Sequence, residues 1–292
     1  MHESTSPKSK KKALLLTGIA GFLWGTSFPA IKIGLQYMDA CTFAFLRFLT
    51  ASATMLSIAL LTRNVSFSFN KKRLVLLLGL ANGLAYLLQY MGMVSTTASK
   101  SSLFINLSAV WVALLSPLLL KEHLNRKRAV GVATSLIGVV FMTTNLNFES
   151  LTQGTIIGDL LVISAGFLWA LFIIYNKPLI KETTNTFHSM LWLLLFTLLP
   201  LLPAALLLGV NFRALSIDAW LAILYTAMLC WIVPYYLWLK GLKYLSTVTS
   251  SIVLLIEVLV AMLIATILLG EVLTTITGIG AIFIIIAILL VS

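Results

Sequence analysis

From one end to the other, the chain alternates long apolar runs with short polar breaks. Grouping the runs between charged or Gly/Asn/Ser-rich breaks predicts ten helices, at about 13–36, 41–62, 74–94, 98–120, 129–145, 156–178, 185–208, 217–238, 246–269 and 272–291. Many reach the roughly 20 residues that a helix needs to cross about 30 Å of hydrocarbon. The pattern therefore predicts an all-α integral membrane protein with ten transmembrane helices. The tightest break lies between the last two runs, where Gly270 and Glu271 must turn the chain. Residues 1–12, MHESTSPKSKKK, form a basic tail. The apolar run behind it is too long for a signal peptide, contains Lys32 and lacks a small-residue cleavage site, so it reads as a retained first helix.

Composition agrees with this reading. Of the residues, 60% are hydrophobic and 10% charged, where a soluble domain has about a quarter charged. The formal net charge of +11 suggests nucleic acid only until its distribution is read. With ten spans, the N-terminal tail and the even-numbered connections share one side of the membrane. That side holds fifteen basic residues: Lys8, Lys10, Lys11, Lys12, Arg63, Lys71, Lys72, Arg73, Lys121, Arg126, Lys127, Arg128, Lys181, Lys240 and Lys243. The other side holds Lys100 and Arg213. Such asymmetry orients spans; it puts both termini in the cytoplasm of a multi-pass plasma-membrane protein and leaves no nucleic-acid partner. Cys41, Cys230 and the three scattered histidines give no disulfide framework or metal spacing, so no metal or cofactor is expected. A lone His188 inside the seventh helix reads as a bonded structural histidine. No GxxxxGK[ST] occurs, which excludes ATP hydrolysis through a P-loop in this chain.

One stretch is written twice. AGFLW occupies residues 20–24 and 165–169, each followed eight residues after its tryptophan by a lysine, Lys32 or Lys177. A second set of matches runs at an offset of 149: Gly92 with Gly241, Thr97, Ser101 and Ser102 with Ser246, Ser250 and Ser251, and Glu122, Leu124 and Gly131 with Glu271, Leu273 and Gly280. The chain thus divides into residues 13–145 and 146–292, each with five predicted helices. Because five is odd, the second copy enters the membrane from the opposite side. Inverted repeats of this kind build transporters with a central site between the halves.

WGTSFPAIK in the first helix, FLRF in the second, LLLKEHL after the fourth and ILLGEVL after the ninth resemble the drug/metabolite transporter superfamily, and more closely its ten-span members built from two EamA-type repeats. The resemblance covers nearly the whole chain. It implies solute transport, often export, through a cavity lined by helices one to four and six to nine, with helices five and ten packed to the side. Many relatives carry a proline thirteen residues before each of the two loop glutamates. Here those positions are Ala109 and Val258, which removes the usual reason for a helix break.

Helical spacing sorts the candidate lining residues. Gly79, Asn82, Tyr86, Gln89 and Met93 share a face of the third helix, and their counterparts in the eighth are Met228, Trp231, Tyr235, Trp238 and Leu242. Ser99, Ser102, Asn106, Ala109, Ala113 and Ser116 share a face of the fourth, and Ser250, Glu257, Ala261 and Ile264 one of the ninth. Small residues such as Ala109, Ala113, Ser116, Gly131, Ser135, Gly138 and Gly280 suit close helix packing. Trp24, Asn82, Tyr86, Gln89, Asn106, Trp169, Trp231, Tyr235 and Trp238 suit an aromatic cavity with a few polar anchors.

Ionisable residues within spans cost at least about 2.5–3.5 kcal/mol to insert, so each needs a reason. Glu257, mid-span, is either a proton-coupling group or an architectural one paired with Lys32, Arg47 or Lys177. Lys32 and Lys177 either snorkel to the interface or draw anionic groups to the two mouths. Arg47 suits a structural pair. Glu122 and Glu271 each precede a helix and suit dipole complementation there. The expected function is secondary transport of a small organic metabolite, such as an amino acid or amphipathic compound, outward as the resemblance implies. A lipid flippase or an accessory membrane subunit is the alternative on the same fold. The nine acidic residues form no paired motif, so the chain is not expected to be an enzyme. Expected partners are the small-molecule substrate, the bilayer, a coupling proton and a second copy in a homodimer.

Overall fold

The computed structural model describes residues 7–63, 71–96, 98–152, 154–183, 185–209, 216–269 and 273–292. The Gly270–Glu271 turn, Arg213 and the side chains of Lys32, Ser99 and Lys100 lie outside the described residues. Hydrocarbon offers no partner to a backbone amide, so a spanning segment must bond its own, and the described residues are helices and their connections. These are α1 (Pro7–Gly25), α2 (Ser27–Gly34), α3 (Ala40–Leu61), α4 (Lys72–Ser95), α5 (Ala98–Asn106), α6 (Ser108–Leu120), α7 (Arg126–Thr144), α8 (Ile156–Glu182), α9 (Thr186–Ala204), α10 (Ile217–Ala227), α11 (Val233–Leu242), α12 (Thr247–Leu254), α13 (Ile256–Leu269) and α14 (Thr275–Val291).

Among the described residues, seven stretches are long and apolar enough to cross a membrane: Ala40–Leu61, Lys72–Ser95, Ser101–Leu120, Ile156–Glu182, Thr186–Leu208, Ile217–Leu242 and Thr247–Ile264. Thr275–Val291 is a shorter apolar helix. The expected ten is therefore met in part, for local reasons. α1 carries four lysines in its first turns and stops at Gly25, and α7 opens on Arg126, Lys127 and Arg128.

Several predicted spans are interrupted, each by identifiable chemistry. Between α1 and α2, Thr26 Oγ1 donates to the Leu23 carbonyl at 2.7 Å and Ser27 Oγ to the Trp24 carbonyl at 2.6 Å. Hydroxyls bonded back into the preceding turn compete with the helix ladder, and Pro29 brings no N–H for the Gly25 carbonyl. Between α5 and α6, Asn106 Nδ2 donates to the Ser102 carbonyl at 2.8 Å. Between α12 and α13 the ladder tightens to three-residue steps, Leu255 N to Ile252 O at 3.1 Å and Val258 N to Leu255 O at 3.0 Å. Both breaks sit just before Ala109 and Val258, so these helices break without the proline that relatives carry. α10 and α11 are joined by a π-helical turn, Met228–Ile232, ahead of Pro234.

α4 lies on α8 and α9, α1 on α11, α12 and α13, and α7 on α14. Gly138 and Gly280 meet where α7 crosses α14, with Phe141 and Phe283 edge-to-face at 5.8 Å beside them. Other close approaches come in matched pairs. A Cβ on Gly92 would lie 2.9 Å from the Gly158 carbonyl oxygen, and one on Gly241 would lie 2.8 Å from that of Ala13. The two AGFLW glycines do the same: a Cβ on Gly21 would lie 3.1 Å from the Leu254 carbonyl oxygen, and one on Gly166 would lie 2.6 Å from that of Phe104. Each copy seats its glycine on backbone just ahead of a helix break. Gly166→Val should therefore overpack this contact by about 1–3 kcal/mol and lower the unfolding midpoint in detergent by about 2–6 °C. An unchanged midpoint would mean that α5 and α8 have room to part.

Candidate functional site

Around the broken helices the structure leaves a cavity of about 140 Å³. Trp24, Asn82, Tyr86, Gln89, Asn106, Trp169, Trp231, Tyr235 and Trp238 all line it, and so do Arg47 and Glu257. Lys177 does not face it, and Lys32's side chain is outside the described residues.

Most of the wall is aromatic. Tyr86 stands edge-on to Trp169 at 4.8 Å, Trp231 lies 4.6 Å from Tyr235, and Phe172 stacks on Trp238 at 6.2 Å. Each such pair adds about 0.5–1.5 kcal/mol beyond burial, which fixes the rings. The ring heteroatoms are mostly occupied. Trp169 Nε1 donates to Gln89 Oε1 at 3.1 Å, Tyr235 Oη to Asn176 Oδ1 at 2.7 Å, and Trp238 Nε1 to Ser250 Oγ at 2.9 Å.

Arg47 owes its place to Pro234. Proline has no N–H for the carbonyl four residues back, which is Cys230's, and the π-helical turn disturbs the same stretch. Arg47 Nη2 donates to the Cys230 carbonyl at 3.1 Å, Nε to that of Thr226 at 3.2 Å, and Nη1 to Tyr90 Oη at 2.8 Å. Its guanidinium also lies 5.0 Å from the centre of the Tyr86 ring. The pairing expected with Glu257 is absent: Arg47's acceptors are two carbonyls and a phenol. A broken helix supplies acceptors nearer than any carboxylate.

Lys177 is buried and donates to the carbonyls of Leu242 at 2.6 Å, Lys243 at 3.3 Å, and Leu245. It neither pairs with Glu257 nor snorkels freely; it closes the C-terminal end of α11, whose last carbonyls have no partner within the helix. Glu122 does complement a helix N-terminus, but not that of α7, which Asn125 caps. Glu122 Oε2 instead accepts from Thr247 N at 2.9 Å and Thr247 Oγ1 at 2.8 Å, at the start of α12. Glu257 has no hydrogen bond or ion pair to any described residue; an ion pair does form on the surface, Lys71–Glu182 at 2.6 Å.

Several lining residues went unpredicted, including Ser27, Tyr90, Phe172 and Ser251. Tyr90 and Phe172 carried a usable signal, at four residues from Tyr86 and three from Trp169. Ser27 opens α2 just past the first break, and Ser251 lies within α12.

The model of the EamA-like transporter family matches residues 11–144 and 156–292. An "Uncharacterized transporter" of Archaeoglobus fulgidus is 33% identical over 235 residues, covering 79% of this chain and 80% of that protein. A Salmonella typhimurium protein named "Probable amino-acid metabolite efflux pump" is 28% identical, covering 90% and 88%. A solved crystal structure superposes with a TM-score of 0.81 at 16% identity over 96% of both chains, a likeness of fold alone. Twice matched over most of its length, the chain belongs to the EamA-like transporter family of the drug/metabolite transporter superfamily, and it is a multi-pass membrane transporter, not an enzyme.

Proposed function

We propose that the protein is a secondary transporter that moves small organic metabolites, such as amino acids or amphipathic compounds, out of the cell by alternating access. The observation that carries this is the cavity, where aromatic and polar residues of both halves meet around interrupted helices. Its volume, about 140 Å³, is close to the roughly 150 Å³ that accommodates a benzene-sized guest, so the solute is small. The outward direction rests on the efflux pumps that relatives are named for.

Ten spans in two oppositely inserted five-helix copies complete the reading. The double family match supports it, as do the paired contacts of Gly92 with Gly241 and of Gly21 with Gly166. The skew of basic residues supports cytoplasmic termini in the plasma membrane. Without a P-loop the work comes from a solute or proton gradient, with Glu257 as the proton carrier.

The test is uptake into proteoliposomes of an amino-acid panel, with and without a pH gradient. The expected result is saturable movement of small apolar amino acids, made concentrative by the gradient. Movement that is never concentrative would remove proton coupling. Movement of labelled lipid with no soluble solute would replace the reading with a flippase.

A further inference from the structure

The polar groups of the cavity can be counted off against their partners. Arg47, Gln89, Trp169, Tyr235 and Trp238 are bonded as described above, and Asn106 bonds the Ser102 carbonyl. Asn82 Nδ2 donates to Thr197 Oγ1 at 3.1 Å. That hydroxyl is itself the donor to the Leu193 carbonyl at 2.8 Å, so it can only accept from Asn82, and this fixes which way the amide points. Asn82, 0% exposed, is left with an unbonded Oδ1, and Trp24 with an unbonded Nε1–H, both shut off from solvent. Among the described residues Glu257 likewise has no hydrogen bond or ion pair, and the lining Tyr86 hydroxyl and Trp231 indole N–H have no hydrogen bond either. The described cations within spans, Arg47 and Lys177, are committed to carbonyls.

An unpaired carboxylate and an unpaired buried amide oxygen are costly. Both are acceptors and both line the same cavity. Trp231, Tyr235 and Trp238 line the same cavity, and aromatic rings attract cations through their π faces. Trp24 is the opposite pole, a donor. It stands next to Gly25, where a Cβ would lie 2.7 Å from the Glu257 carbonyl oxygen, so its helix and Glu257's are in contact.

We propose that the cavity reads a protonated amine: Glu257 and Asn82 Oδ1 receive the ammonium, and the Trp24 indole N–H receives an acceptor on the same solute. The inference rests on the cavity being the transport site. It goes further in making the amine, rather than the carboxylate, the group that selects the substrate.

The test uses the full-length protein in detergent at fixed pH and measures binding of valine, isobutylamine and isovalerate by calorimetry. The last two are valine without its carboxylate and without its amine. Valine and isobutylamine should bind, and isovalerate should bind about tenfold or more weakly. Glu257→Gln should weaken both amines by about tenfold or more. Trp24→Phe should weaken valine and leave isobutylamine unchanged, a split that mere loss of packing would not produce. The ligand series on the unsubstituted protein keeps the test decisive even if a variant misfolds. Isovalerate binding as well as valine, or Glu257→Gln without effect, would overturn the amine assignment and leave the transport reading standing. So would binding of none of the three while an amine-free metabolite, tested beside the amino-acid panel, is transported. No binding together with no transport of any panel solute would overturn both.

Discussion

Arg47→Lys should lower transport about tenfold or more and drop the unfolding midpoint by about 4–8 °C, although the charge is kept. Arg47 is 1% exposed, and its guanidinium spans Tyr90 on α4 and two carbonyls, of Thr226 and Cys230, beside the kink between α10 and α11. A lysine ammonium is a compact point charge without a planar fork, so it can serve one of these sites but not all three. Hydrogen bonds from a charged donor contribute about 1.5–3 kcal/mol each. Losing two, with some relaxation, should cost about 2–4 kcal/mol, and each kcal/mol moves the midpoint of a chain of this size by about 2 °C. Arg47→Met separates stability from function. It also removes the cost of burying a charge, so its stability should fall no further than the lysine variant's, while transport stays lost because the kink that shapes the cavity wall is untied. Thermal unfolding followed by size exclusion and proteoliposome uptake measure the two effects. A lysine variant with normal midpoint and transport would show that the fork geometry does no work here.

What could be read from the sequence was whatever depends on spacing within one helix. Three- and four-residue steps place Asn82, Tyr86 and Gln89 on one face, and Trp231, Tyr235 and Trp238 on another; the structure brings both faces to one cavity. Whether that cavity carries substrate is the proposal above, not a property of the spacing. What could not be read depends on contacts between helices distant in sequence. Lys177 looked like a charge reaching for water, and its true partners are carbonyls some 65 residues on. Glu122 looked like a cap for the helix that follows it, whereas it caps α12, 125 residues away. The breaks after Asn106 and Leu254 had no proline to announce them. At the first, Asn106 bonds back to the Ser102 carbonyl, and at each a glycine of a neighbouring helix lets backbone approach backbone.

The connection from α11 to α12 is held at both ends by opposite charges. Lys177 holds its carbonyls, at the negative end of α11, and Glu122 holds the Thr247 amide and hydroxyl, at the positive end of α12. Glu122 follows α6, so its grip ties the N-terminal part of the chain to the C-terminal part. Lys177→Met leaves buried carbonyls without a donor and should cost about 2–4 kcal/mol, from charge-assisted bonds of about 1.5–3 kcal/mol each less the desolvation recovered. Glu122→Gln keeps an acceptor and loses only its charge, so it should cost about 1 kcal/mol. The double variant should fall short of the sum by about 0.5–1.5 kcal/mol, because residues gripping one segment are coupled. Once either end of the connection frays, the other has less to hold. Thermal or denaturant unfolding of the four proteins gives the cycle. Strict additivity would mean that each charge caps its own helix independently and that the connection is not a single clamped unit.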